Sequence, residues 1–290
     1  MIRSLLVLSV VLLCAATEAA ETPDAKRIGD LTGLPVEVAD GVAKVSKPRT
    51  DLNEVVDGRP LKPFQGTTSW AAFEQSGKTT MVMGDIVLLE HEVNPALSAA
   101  LENDLQVTAL HNHFFYDQPR VYFMHIGGNG EEEKLARGVR AVFDAAAAAP
   151  KGDGFPGAAI PAEDAIDAAP LEKILGTKAQ TKDGMAKFVF GKPTKMHGMT
   201  VGAPMGANTW AAFAGSNNSA LVDGDFAMLE SELQGILRAL RGAGINIVAI
   251  HSHMAGEEPR ILFLHYWGKG PAEALARGIQ GALKTQKASG

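Results

Sequence analysis

Apolar and polar residues follow two different periods along the chain, and both periods recur in each half. Residues 69–74 and 79–88 alternate with a period of two, and Ser76-Gly77 between them favours a hairpin turn. Residues 92–101 and 131–147 instead carry apolar side chains at helical spacing. Shorter runs predict further strands at 43–45, 106–114 and 120–127. This order predicts an α+β fold in which helices pack on a largely antiparallel sheet.

The second half of the chain repeats the first. From Trp70 to Val142 the residues align without a gap with those 140 positions later, so that Trp70-Ala-Ala-Phe73 recurs as Trp210-Ala-Ala-Phe213. The predicted divisions are a signal peptide (1–19), repeat one (24–147), a linker rich in alanine and proline (148–167) and repeat two (168–287). We expect each half to form a mostly antiparallel sheet with two packed helices. A pseudo-twofold arrangement of the halves is expected, as in a fused dimer.

Six of the eight histidines lie in two blocks with identical spacing. Because side chains alternate along a strand, the paired histidines of each block are expected to share a face with the apolar residues before them. The next strand returns after a turn predicted near Asp117-Gln118, which sets the third histidine opposite one of the pair. The two predicted sets are His111, His113 and His125 in repeat one, and His251, His253 and His265 in repeat two.

Three imidazoles on two paired strands are typical of a metal site that keeps open coordination positions. Zinc is the first choice among divalent metals, and iron, nickel, copper and manganese stay open because imidazole suits several of them. The hypothesis is a metal-dependent hydrolase. The alternatives are a metal-binding or ligand-binding protein without catalysis, a metal-independent histidine phosphoesterase, and a structural protein with core histidines.

Repeated charged residues suggest roles around the histidines. Glu90 and Glu230 lie where a predicted strand meets a helix, so each is a candidate general base or fourth ligand. The alternative is a favourable charge at a helix N-terminus. Arg120 and Arg260 follow a turn proline and are candidates for binding an anionic substrate. The alternative, which we favour, is that they pair with a carboxylate across the hairpin.

Composition and the N-terminus narrow the setting. A net charge of −6 argues against a basic surface for nucleic acid. Residues 1–3 are short and positive, residues 4–14 are apolar, and small residues follow, which is the pattern of a secretory signal. We therefore expect a periplasmic or secreted protein without a membrane span after cleavage, acting on an unidentified small-molecule or envelope-derived ligand. Attachment of lipid to Cys14, the sole cysteine, is the less favoured alternative.

Four motifs resemble a family of exported bacterial proteins. They are Trp-Ala-Ala-Phe at Trp70, Gly-Asp-x-Val-Leu at Gly84, Val-Thr-Ala-Leu-His-Asn-His ending at His113, and Pro-Arg-Val-x-x-Met-His-Ile-Gly-Gly around His125. In this combination the chain is similar to the LppY/LpqO family, over nearly all of both copies. The resemblance implies export and a domain of unknown function, and it carries no catalytic residues over.

Overall fold

The computed structural model describes residues 22–152, 154–155 and 157–288. The predicted signal peptide, residues 1–19, lies outside the described residues. Both repeats fold into strands and helices in the same order, and the two halves together form one central sheet.

The first half contains three helices and nine strands within the described residues. The helices are α1 (Ala25–Thr32), α2 (Glu90–Glu102) and α3 (Glu132–Ala148). The strands are β1 (Val36–Ala39), β2 (Val42–Pro48), β3 (Val55–Val56), β4 (Arg59–Pro60), β5 (Thr68–Ser76), β6 (Thr79–Leu89), β7 (Gln106–His111), β8 (Asp117–Gln118) and β9 (Val121–Gly130).

The second half, as far as the structure describes it, repeats this order without a strand that corresponds to β8. The helices are α4 (Ala168–Leu175), α5 (Leu233–Gly242) and α6 (Ala272–Ala288). The strands are β10 (Gln180–Lys182), β11 (Met185–Gly191), β12 (Thr194–Met196), β13 (Met199–Val201), β14 (Asn208–Gly215), β15 (Ala220–Leu229), β16 (Asn246–His251) and β17 (Ile261–Gly270). Each described half therefore has one short helix, α1 or α4, beyond the two that helical spacing predicted.

The main sheet has twelve strands in the described chain, in the order β1-β2-β5-β6-β9-β7-β16-β17-β15-β14-β11-β10. Counted inward from the two edges of the sheet, the strands of the first copy correspond one by one to those of the second copy. The two series meet at the centre, where β7 lies beside β16. Every pairing in the sheet is antiparallel. The predicted α+β class, internal duplication and pseudo-twofold arrangement are confirmed.

One continuous hydrophobic core lies between the helices and the sheet in both halves. Helix residues such as Leu97 and Val139 in the first half, and Leu237 and Ile279 in the second, belong to a single buried cluster with the sheet residues below them. The helices therefore cover one face of the sheet. Smaller apolar clusters lie elsewhere, one around Phe123 and one around Phe263. Because the two halves share one buried core, we expect them to fold as a single unit.

Side chains from the helices hold the central seam between the copies. The strands β7 and β16 share one backbone bridge, Leu110 to Ile250. The Asn94 side chain of α2 accepts from Ile247 N at 2.9 Å and donates to Ile247 O at 3.3 Å. At the matching position in α5, Gln234 accepts from Val107 N at 3.1 Å and donates to Val107 O at 2.8 Å. These reciprocal amide bonds satisfy backbone groups that the short seam leaves unpaired.

Candidate metal site

A β-bulge in each central strand decides which face the histidines occupy. The register of β7 shifts between Val107 and Ala109, and β16 shifts at the matching place. Val107 and Leu110 both belong to the core beneath the helices, whereas Ala109 and His111 are half-buried on the opposite face. The prediction that alternate residues up to His113 continue one apolar stripe is therefore wrong, because the bulge resets the alternation.

The predicted register of the histidine hairpin is also wrong. His125 pairs with Ala109, and His111 pairs with Phe123, so the histidines are diagonal neighbours and not directly opposed. The reason lies in the connection, because Asp117 and Gln118 form β8 and pair with β3 where a tight turn was expected. Diagonal side chains on one face are still within reach of each other. The ring centroids of His111 and His125 are 5.1 Å apart.

The second copy brings its three histidines together in the same way. The ring of His251 lies 4.6 Å from that of His265 and 5.1 Å from that of His253, measured between centroids. Phe263 fixes the outer member, because its ring stacks on His253 at 3.5 Å with an interplanar angle of 10°. The sequence therefore predicted the convergence of the histidines correctly, although it predicted the wrong pairing.

Asp225 adds a carboxylate to this cluster. It lies on β15, paired with His265, and its side chain is 4% exposed. One carboxylate oxygen, Oδ2, lies 3.0 Å from Nε2 of His253, and Oδ1 lies 3.8 Å from Nε2 of His251. Asp225 Oδ1 and His251 Nε2 are both buried, and neither has a hydrogen-bond partner in the described structure. Unpaired buried polar atoms that face each other are costly and need an explanation.

The geometry makes Asp225, His251 and His253 a group that could hold a metal ion. One ligand atom from each residue lies within 4.8 Å of the others. This set contains Asp225 in place of His265, the third predicted histidine, whose Nδ1 lies 3.4 Å from the backbone oxygen of Gly224. The repeated Gly-Asp dipeptide, Gly84-Asp85 and Gly224-Asp225, is the sequence signal that could have identified this carboxylate.

Burial shifts the pKa values of Asp225 and His251 towards their uncharged forms. Desolvation raises the pKa of the Asp225 carboxyl, and the charges of His265, His253 and His251 oppose that rise. Desolvation lowers the pKa of His251, with Asp225 acting in the other direction. Neutral imidazole has a lone pair for a metal, and a buried carboxylate gains most from a nearby cation.

The first copy holds the corresponding residues in a looser arrangement. Asp85 is 15% exposed, and its Oδ2 lies 4.0 Å from Nε2 of His125. Its Oδ1 is buried without a partner. His113 stacks on Phe123 with centroids 3.3 Å apart, and burial lowers the pKa of His113. In this copy the carboxylate of Asp85 lies nearest His125, which is on β9, the strand between β6 and β7.

The other predicted site residues lie outside the cluster. Glu90 and Glu230 are exposed first residues, Glu90 of α2 and Glu230 of a short 3₁₀ turn before α5. Glu90 is five residues from Asp85, roughly 15 Å at strand spacing. Neither glutamate makes an ion pair with these histidines within the described residues, and their general-base role stays a prediction. The connections 112–120 and 252–260, which we call the site loops, end in Arg120 and Arg260. Both arginines are exposed, and neither makes an ion pair within the described chain.

Both repeats of the chain match one known protein family. A family model described as Domain of Unknown Function (DUF1259) matches residues 26–145 and again residues 169–285. The chain belongs to this family, in two tandem copies. The match overturns the assignment to the LppY/LpqO family, because the family it names is a different one, and it confirms the two-copy organisation.

Other comparisons add little to the DUF1259 match. No curated protein matches this chain. Among solved structures, EtuB from Clostridium kluyveri is 10% identical with a TM-score of 0.23, covering 88% of this chain and 90% of its own. The trimeric bacterial microcompartment shell protein PduB is 12% identical with a TM-score of 0.19, covering 88% and 93%. In the described part of this DUF1259 chain, every helix is too short or too polar to cross a membrane.

Proposed function

We propose that this protein binds a divalent transition metal, zinc first, through Asp225, His251 and His253. The observation that carries the proposal is the buried, partnerless pair formed by Asp225 Oδ1 and His251 Nε2 at 3.8 Å. A cation between these atoms would satisfy both, and it would neutralise a carboxylate that burial otherwise makes costly.

The distances suit a small tetrahedral cation such as zinc. With Zn–N and Zn–O bonds of about 2.0–2.2 Å, two ligands of a tetrahedral zinc lie about 3.4 Å apart. The two measured separations, 3.0 Å and 3.8 Å, lie on either side of that value. Three protein ligands leave one coordination position for water or substrate, as in catalytic zinc sites.

The reaction that we propose is hydrolysis. A bound divalent metal lowers the pKa of coordinated water and polarises the bond to be cleaved. The half-exposed imidazoles of His251 and His253 leave the cluster open to a substrate from the face opposite the helices. Arg120 and Arg260, exposed beside the two sites, are proposed to contact an anionic group of that substrate. The N-terminal pattern supports export to the periplasm or beyond.

Metal analysis of the protein without residues 1–19 tests this proposal. After chelation and reloading with zinc, we expect at least one zinc per chain by mass spectrometry, with Asp225→Asn losing it. Asp85→Asn, the matched change in the first copy, should keep the zinc bound at Asp225. Zinc content near zero after reloading, or the same content in Asp225→Asn, contradicts the proposal.

The hydrolytic part has its own test. Zinc-loaded protein is assayed against ester, amide and phosphoester substrates, with Asp225→Asn as the metal-depleted control. Turnover that requires zinc and is lost in the variant supports a hydrolase. Bound zinc without turnover supports the alternative of a non-catalytic metal-binding protein.

A further inference from the structure

The two histidine clusters belong to one continuous surface at the seam between the copies. Leu110 pairs with Ile250 across the seam in antiparallel register. One residue to either side, this register sets His111 against Ala249 and Ala109 against His251. Four strands in succession, β9, β7, β16 and β17, therefore carry the clusters on one face.

The residues form two short rows related by the pseudo-twofold axis. One row contains His125, Ala109 and His251, and the other contains His111, Ala249 and His265. In each row an alanine separates a histidine of the first copy from a histidine of the second. Ala109 and Ala249 are only half-buried, although they lie in the central strands of the sheet. We call the space above these two alanines the seam basin.

The size of the seam basin decides what it suits. Neighbouring strands are about 4.8 Å apart, so the backbones of His125 and His251 are about 10 Å apart. Two N–H donors on either side of an oxyanion are about 8 Å apart, because each hydrogen bond adds about 2.8 Å to the O–O width of the anion. A backbone separation of about 10 Å therefore leaves room for a small oxyanion between the imidazoles that border the basin.

The charges favour the same class of ligand. Imidazole N–H groups are donors, and the metal proposed at Asp225 would add a positive centre on one side. The carboxylates of Asp85 and Asp225 lie one strand further out, paired with His125 and His265. We propose that the seam basin binds a small oxyanion, a phosphate or carboxylate group, between the Asp225 metal site and the imidazoles of His111 and His125. This inference rests on the same site as the proposed function and names its substrate class.

Inorganic phosphate is the probe, titrated by calorimetry into zinc-loaded and into chelated protein. Ala109→Leu fills the basin without removing a polar group, and we expect it to weaken phosphate binding by about tenfold or more. Ala72→Leu is the matched control, because Ala72 is also half-buried. Ala72 pairs with Met83 and lies on β5, which is three strands away from β7 in the sheet. It should bind phosphate as the unchanged protein does. Circular dichroism checks that each variant is folded.

His125→Gln provides a second variant if Ala109→Leu does not fold. It removes an imidazole on the first-copy side, and phosphate binding should again fall by about tenfold. Absence of phosphate binding, or equal binding by Ala109→Leu, His125→Gln and Ala72→Leu, overturns the inference. Zinc content reports separately on the proposed function. Phosphate binding that Ala109→Leu abolishes in chelated protein supports the basin even if no metal binds.

Discussion

The two copies carry the same four polar residues at their sites and arrange them differently. In the second copy the carboxylate of Asp225 is almost fully buried and lies against two histidines of one strand. In the first copy Asp85 is more exposed and lies 4.0 Å from His125 alone. Identical residue types at identical spacing therefore give one compact ligand set and one open one. Spacing brings the residues to one face, and side-chain packing decides whether they converge on one point.

The apolar residues packed around the two sites also differ between the copies. The first copy has a larger apolar cluster, in which Val87, Val121 and Phe123 pack with Leu52 and Phe114. The second has Ala227, Ile261 and Phe263 with Leu229 and Met254. The tip of the site loop is aromatic in the first copy, at 115–116, and reads Ala-Gly at 255–256 in the second. We expect the two sites to differ in affinity because their surroundings differ.

The largest expected effects come from the phenylalanines beneath the outer histidines. Phe123→Ala and Phe263→Ala should each reduce the free energy of unfolding by about 3–5 kcal/mol, because both rings are fully buried. Phe263→Ala should also weaken zinc binding by about 10–100-fold, since the ring orients His253. Zinc titration and urea unfolding of both variants measure this. Equal loss of zinc affinity in the two variants would mean that the first copy holds the metal as well.

Arg49 and Lys192 occupy matching positions in the two copies and should differ in their contribution to stability. Arg49 makes bonds of 2.7 Å and 3.1 Å to the buried carboxylate of Glu92, whereas Lys192, at 23% exposure, pairs with Glu232. Arg49→Ala should cost about 3–5 kcal/mol, because the buried Glu92 loses its counter-charge and keeps only the Leu89 N–H as a hydrogen-bond donor. Lys192→Ala should cost about 1–2 kcal/mol, since Gln286 still donates to Glu232.

Urea unfolding at neutral pH measures both costs, and Lys192→Arg is the control that keeps the charge. Equal losses in Arg49→Ala and Lys192→Ala would show that burial of the pair does not decide its contribution.

The smallest effect concerns a buried carboxyl that only the first copy has. Glu54 is 2% exposed with both carboxylate oxygens unpartnered, and the matching Thr194 donates to the Pro259 carbonyl at 2.6 Å. Burial, reinforced by Asp117, raises the pKa of Glu54 above its ordinary value of about 4.5. The folded state thus holds this proton to higher pH than the unfolded state. Stability should therefore fall as pH rises from 4.5 through the raised pKa.

Replacing Glu54 with Gln removes that dependence. Glu54→Gln should melt at a higher temperature than the unchanged protein at pH 7 and at a similar temperature near pH 4. Thermal melts across this range check the expectation, and Glu54→Thr tests whether the residue of the second copy is equally favourable. A variant that melts lower at pH 7 would show that the ionised carboxylate is stabilising.

The sequence predicted the main strands, two helices of each half and the meeting of the histidines, because these depend on local periods and on duplication. It missed the bulges, since nothing in Val107-Thr-Ala-Leu110 distinguishes a reset alternation from a regular strand. The register was missed because β8 pairs with β3, a contact that the local sequence does not show. Asp225 belongs to a repeated Gly-Asp dipeptide. Its place among the ligand candidates depends on which side-chain atoms lie within reach, and spacing does not determine that.

The reciprocal amide bonds of Asn94 and Gln234 have a consequence for any attempt to separate the halves. Each half would expose its central strand as a bare edge, with the backbone groups of Val107 or Ile247 no longer capped by the other half's helix. Bare edges recruit further strands, so an isolated half should aggregate or rebuild the seam with a second copy of itself. The linker avoids this outcome by keeping the cognate edge at a high effective concentration throughout folding.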